Sequence, residues 1–324
     1  MERARGGIWR RILPWAVSLA ALAYVFGYAT DWGRLVAATG DANLVLFVLV
    51  TVVDKLVFFV VWAFLQAEAI RRFVSPVPRR SIIAVRGGSE LFRAVSNPLA
   101  DAGFLLGVTR LTTSRIDAVV VVALIPFVTH LLVLLGQITV VLPFLDRHGN
   151  GGLIATAGFG WAVVGLVAIG LRVAPAARIP GISRIVHWLQ RISVRELTPF
   201  FVCFAVLAVF DVAIQGLASR AFGVDIPWID LAARIPVLYL ALSIPSVGNF
   251  GVREFAWAGL FAEFGARDAL FAFAFATNSI FLLLNVLIGV CFLGRAFELV
   301  AEIRSTRERG EPVPEPILHD ATDP

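Results

Sequence analysis

The sequence predicts an all-α polytopic membrane protein with six to eight transmembrane helices, two of its segments forming interrupted or re-entrant hairpins. Three observations carry this. Of 324 residues, 59% are hydrophobic and only 16% charged, against about 25% charged in soluble domains. Apolar runs near the length of about 20 residues that spans a bilayer recur along the chain. Arginines gather between alternate runs, as they do in cytoplasmic loops.

A net charge of +5 in such a chain reflects these loops and contact with anionic lipid, so no nucleic-acid partner is expected. Cys203 and Cys291 both lie in apolar runs without disulfide or metal-ligand spacing, and the four histidines are scattered. No cofactor and no metal are expected.

Arg3, Arg5, Arg10 and Arg11 precede the apolar run 12–29, which reads as an uncleaved first span with a cytoplasmic N-terminus. The second span, 44–65, contains Asp54 and Lys55. Neighbouring helical positions diverge by about 100°, so the two side chains face different partners. Either they compensate each other's charge in a polar bundle interior, or one of them lines a substrate path.

Residues 66–117 are the most basic stretch, with Arg71, Arg72, Arg79, Arg80, Arg86, Arg93, Arg110 and Arg115. Within it, 81–108 is too polar for a span and too apolar for a free loop. It reads as a helical hairpin entered from the cytoplasm, or as amphipathic surface helices. A third span, 118–142, holds Pro126 and His130, the histidine being a packing residue or a proton carrier. An external Gly-rich loop at 146–152 leads to a fourth span, 153–173, whose Gly158, Gly160, Gly165 and Gly170 would permit close helix packing.

After a basic segment with an interfacial helix at 185–192, a fifth span is expected over 199–219. It places Asp211 and Gln215 one turn apart, with Arg253 or Lys55 as the cation for the aspartate. Residues 228–264 form a second interrupted hairpin, entered from outside and left there at 265–268. The last span, 269–293, sets Asn278 and Asn285 on one face. Residues 1–294 form one integral-membrane domain, and 295–324 read as a disordered cytoplasmic tail, too poor in apolar residues for a core. Interrupted segments in both halves are compatible with an inverted repeat and a midplane site.

The most informative stretch is Ile244-Pro245-Ser246-Val247-Gly248-Asn249-Phe250-Gly251-Val252-Arg253-Glu254. Proline interrupts the hydrogen-bond ladder, and a charge at the bilayer centre costs about 2.5–3.5 kcal/mol on insertion scales. Backbone broken at membrane depth survives only where protein buries it or water lines it. Free amides and the helix dipole at a helix beginning at Val252 would favour an anionic group. Arg253 could clamp a phosphate, with Glu254 balancing it or binding a sugar or amine. The alternative is that the Arg253-Glu254 pair locks the hairpin by pairing with Asp211 or with neighbouring groups.

This stretch resembles the hallmark of the lysylphosphatidylglycerol synthase transmembrane (flippase-like) family of bacterial and archaeal multi-span proteins. Gly251, Val252, Arg253 and Glu254 match as they stand, and Pro245 and Gly248 match the upstream part. Asn249 replaces the second glycine of a frequent Gly-Gly pair. A second family element is only loosely echoed, by Asn97-Pro98 with Asp101 and Gly103, or by Glu90 and Arg93. The span pattern resembles the family over most of the chain, without the aminoacyl-transferase domain that fused members carry.

The resemblance implies a multi-pass protein of a bacterial or archaeal cytoplasmic membrane, with both termini cytoplasmic, that flips a lipid with an anionic or glycosylated headgroup, or a lipid-linked precursor. Pro245, Gly248, Asn249, Gly251, Arg253, Glu254, Asp211 and Asn278 are the candidate transport residues. Envelope-biosynthesis enzymes are candidate partners. The alternative is a membrane enzyme, or an accessory subunit of one, in glycolipid, polyprenyl-lipid or envelope biosynthesis. No phosphate-binding loop, zinc motif, nucleophile elbow or other catalytic constellation favours an enzyme.

Overall fold

Asn43 starts the first described helix: its side-chain oxygen accepts a hydrogen bond from the Leu46 amide at 3.1 Å, satisfying one of the free donors at a helix start. Helix α1 then runs over Leu44–Phe73, past the expected end at Leu65, and closes with Arg71 and Arg72 in its last turn, where cations complement the helix dipole. The computed structural model describes residues 40, 42–112, 116–145, 150–173, 192–242 and 249–308. The expected first span at 12–29, nearly all of the interfacial helix at 185–192, and Pro245 and Gly248 lie outside the described residues.

Helices α2 (Arg79–Arg93) and α3 (Asn97–Thr112) form an antiparallel hairpin laid along α1. Arg79 bonds Glu68 at 2.7 Å near the end of α1, whereas Glu90 bonds Lys55 at 3.0 Å in its middle. The hairpin therefore rises from the Phe73 end and turns level with the centre of α1. It is no surface feature, because α2 is buried along most of its length between α1 and α9.

Helix α4 (Ile116–Val141) continues through Pro126 and ends in a 3-10 turn, Leu142–Phe144. Helix α5 (Gly151–Val173) returns along it. Only Gly160 serves close packing there, with Leu135 filling the space a Cβ would take. Gly158, Gly165 and Gly170 have nothing within 4 Å of that position. The expectation of glycine-mediated packing fails at those three because α5 leaves most of its apolar surface exposed, including Ile154, Phe159, Leu166 and Ile169.

Helix α6 (Val194–Ala221) begins earlier than Pro199 because Ser193 and Glu196 close a capping box. Its start meets the end of α1 through Arg72 and Glu196 (3.8 Å). At its other end the carbonyl of Ala221 accepts from the Asn43 amide at 2.8 Å. Helices α7 (Trp228–Leu242) and α8 (Val252–Leu260) are the second hairpin. It comes from the Leu44 end and returns there, where Gly265 sits against Val224. Arg234 ties its base together by bonding Asp230, the Leu260 carbonyl and Glu263.

Helix α9 (Arg267–Glu308) descends the full bundle. Its helical backbone continues to Glu308, through the first part of the segment expected to be a disordered tail. Among the described residues, five helices are long and apolar enough to cross a membrane: α1, α4, α5, α6 and α9. The chain is thus an all-helical, membrane-embedded protein, and its exposed Val45, Leu49, Val60, Val206, Val209 and Leu283 suit a lipid surround.

Two large apolar cores are stacked along the bundle, beside a small third one of Leu145, Leu153 and Ala233. One joins Leu65, Ile70 and Phe73 of α1 to α2, α3, α4 and Phe200, Phe204 and Leu207 of α6. The other joins Phe47 and Val50 of α1 to Ile214 and Ala218 of α6, α7, α8 and the first turns of α9. Between them α1 presents Thr51, Asp54 and Lys55, α6 presents Asp211 and Gln215, and α9 presents Asn278 and Asn285. A buried polar layer crosses the middle of the molecule.

Candidate functional site

Each hairpin delivers its tip to this layer. On the first, Glu90 is 1% exposed and sits among three cations. Lys55 bonds Glu90 Oε2 at 3.0 Å, Arg93 Nε bonds Oε1 at 2.8 Å, and Arg86 lies 3.5 Å from Oε1. Asp101 on α3 closes the cluster, taking Arg86 Nη1 at 3.0 Å and Arg93 Nη2 at 2.9 Å. So α2 and α3 are joined by shared ion pairs, and Lys55 commits to Glu90 rather than to Asp211. Glu90, Arg86 and Lys55 are largely buried while Asp101 is half-exposed, so the ion pairs must offset the desolvation cost of the buried members.

On the second tip, Asn249 has φ 63°, a positive value that asparagine tolerates, and Gly251 has φ 81° with ψ −54°, a γ-turn conformation suited to glycine. These two residues turn the chain so that α8 starts at Val252, burying Arg253 (5% exposed) and Glu254 (0%) in its first turn. The Arg253 guanidinium lies over the Phe281 ring, 5.0 Å from its centroid, and its Nε has no hydrogen-bond partner among the described residues. It makes no close ion pair with Asp211 among them, although Asp211, Asp54, Glu254 and Tyr239 all lie within its electrostatic reach. Neither Glu254 oxygen has a side-chain partner there.

Asp54 and Lys55 divide as helical geometry requires: Lys55 faces the first hairpin, and Asp54 faces Asp211 and Arg253. Gln215 Nε2 donates to Asp211 Oδ1 at 3.4 Å, and the Tyr239 hydroxyl from α7 also bonds this carboxylate. His130 is a packing residue, its ring 4.9 Å from Phe204, 5.3 Å from Trp62 and 5.9 Å from Tyr239.

The structure therefore brings Asn249, Gly251, Arg253, Glu254, Asp211 and Asn278 into one buried layer. Asn278 (2% exposed) and Asn285 (7%) each keep a polar atom without a hydrogen-bond partner among the described residues. Tyr239, Thr51 and Arg86 belong to the layer but carry no motif. Only the rarity of tyrosine, three in the chain, marks Tyr239 in its apolar run. Among the described residues no three His, Cys, Asp or Glu side chains converge as a metal would need.

Chemically, the layer offers a guanidinium at a helix start, several hydrogen-bonding amides and buried carboxylates. Comparison with protein-family models, curated proteins and solved structures gives no match.

Proposed function

We propose that this protein translocates a lipid with a polar headgroup, anionic or glycosylated, or a lipid-linked precursor, across the membrane in which it sits. The observation that carries the reading is the meeting of two hairpin tips from opposite ends of the bundle in a buried polar layer. There Arg253, Asn278 and Asn285 keep unbonded polar atoms among the described residues. Buried polar groups are ordinarily satisfied, and a passing headgroup would satisfy these. Arg253 at the first turn of α8 suits a phosphate, which the helix dipole also favours.

In this reading the hairpins are re-entrant, their tips at the bilayer midplane, and the two halves form an inverted repeat. The basic Phe73 end, with Arg71, Arg72, Arg79, Arg80 and Arg195, is cytoplasmic. With 12–29 as a sixth crossing, both termini lie on that side. The resemblance of the 245–254 stretch to the flippase-like family points the same way.

The test is reconstitution in liposomes carrying labelled lipids. Wild type should move label between leaflets, and Arg253→Ala should be at least tenfold slower, a loss of about 1.4 kcal/mol. Equal, background-level rates for the two proteins would remove the support for this function.

A further inference from the structure

Every charged side chain at the first hairpin tip has an opposite charge in direct contact, whereas the second half of the layer does not balance. Arg253 there is one cation facing three buried carboxylates, Asp54, Asp211 and Glu254. Lys55, next to Asp54 in sequence, makes its direct ion pair with Glu90 and reaches Asp54 only at longer range. Arg86 and Arg93 are spent on Glu90 and Asp101. From α7 the facing group is Tyr239, from α4 it is His130 behind the tyrosine ring, and α9 carries no charged side chain between Asp268 and Arg295. Unbalanced charge buried in a low dielectric is expensive unless something neutralises it.

Thr51 supplies an independent indication. A helical threonine commonly bonds the carbonyl four residues back, and here Thr109, Thr112, Thr129, Thr139, Thr156 and Thr277 all do so. Thr51 is 2% exposed and does not; its Oγ1 has no partner among the described residues. It stands three residues before Asp54, on the same face of α1, and Asp54 Oδ1 is also unpartnered. Asp211, by contrast, already accepts from Gln215 and Tyr239.

We propose that Thr51, Asp54 and Asp211 form a binding site for a monovalent cation, a sodium ion or a proton, between α1 and α6. Two carboxylates with a hydroxyl suit a single positive charge, and a divalent metal would ask for more ligands than converge here. If the protein moves lipid as proposed above, this site gives that movement a driving ion.

The test reads binding without transport, so its failure is distinguishable from failure of the lipid reading. Thermal unfolding of the purified protein is followed while NaCl replaces choline chloride at constant ionic strength. Infrared spectra are searched for the C=O stretch of a protonated carboxyl. The expected result is either a saturable sodium-dependent rise in Tm, lost in Asp54→Asn and Thr51→Val, or a protonated-carboxyl band lost in Asp54→Asn. The first identifies sodium and the second a proton. A Tm indifferent to sodium together with no such band overturns the site, as does a response that survives both substitutions. Thr51→Val is nearly isosteric and bears no charge, so it remains informative should Asp54→Asn fold poorly.

Discussion

Asn97 Nδ2 donates to Asn249 Oδ1 across 3.2 Å, and this bond joins the tips of two hairpins that come from opposite ends of the bundle. Asn97 also accepts from Arg93 Nη1 at 3.1 Å. The charged cluster on α2 is thereby linked, through one amide, to the turn that positions Arg253. Cysteines at both positions, in a background lacking Cys203 and Cys291, should form a disulfide under oxidation. Oxidised protein should lose lipid movement and recover it on reduction. Crosslinked protein as active as reduced protein would mean that the tips need not separate.

Glu90 balances three cations at once. Glu90→Gln should leave Lys55 without its directly bonded anion and Arg86 and Arg93 with Asp101 alone, at a cost of about 3–5 kcal/mol for stranding buried charge. The measurement is thermal or denaturant unfolding of the purified protein. Adding Lys55→Met should recover part of the loss, and a double-mutant cycle reads the coupling. Additive losses would show that Lys55 and Glu90 do not depend on each other.

Gly289 stands where α9 crosses α2: a Cβ there would lie 2.6 Å from the Leu91 backbone nitrogen. Backbone cannot yield as a side-chain tip can, so Gly289→Ala should destabilise by about 1–3 kcal/mol. Gly158→Ala, in open space, should be neutral or slightly stabilising through helix propensity. Equal unfolding midpoints for the two variants would contradict the close crossing.

Gly251 has φ 81° at the start of α8. With ψ −54° this is the strained γ-turn region, where alanine costs about 1–3 kcal/mol, although space for a Cβ is open. Gly251→Ala should therefore lower Tm and slow lipid movement by tilting Arg253. An alanine variant that matches wild type in both measurements would remove the backbone argument.

A cysteine at Arg267 should be labelled from the external face, and one at Arg79 from the cytoplasmic face, since the hairpins start at opposite ends. Labelling of both from a single face would overturn the opposed arrangement.

Much of this architecture was legible in the sequence because bilayer crossing is a matter of length and hydropathy. The spans at 118–142, 153–173 and 269–293 differ from their helices by a few residues at the start. The interruptions at 81–108 and 228–264 were legible because glycine, proline and charge are costly in apolar runs. Boundaries set by local capping were harder: Ser193 with Glu196 extends α6 before Pro199, and α9 passes Arg295 without a stop signal.

Of the site, the anomalous residues stand out from the chain alone: Asp54, Lys55, Asp211, Asn249, Arg253, Glu254 and Asn278 are too polar for apolar surroundings. That Asp54 and Lys55 face different ways follows too, because the helical turn does not let neighbours share a partner. Which partners they meet emerges only from the packing of the helices. Lys55 goes to Glu90, Arg253 lies over Phe281, and Asn97 reaches Asn249 across 152 positions. The physical reason is range. Hydropathy and capping act over one helix turn or one span, whereas charge pairing between hairpins depends on how five helices pack around them.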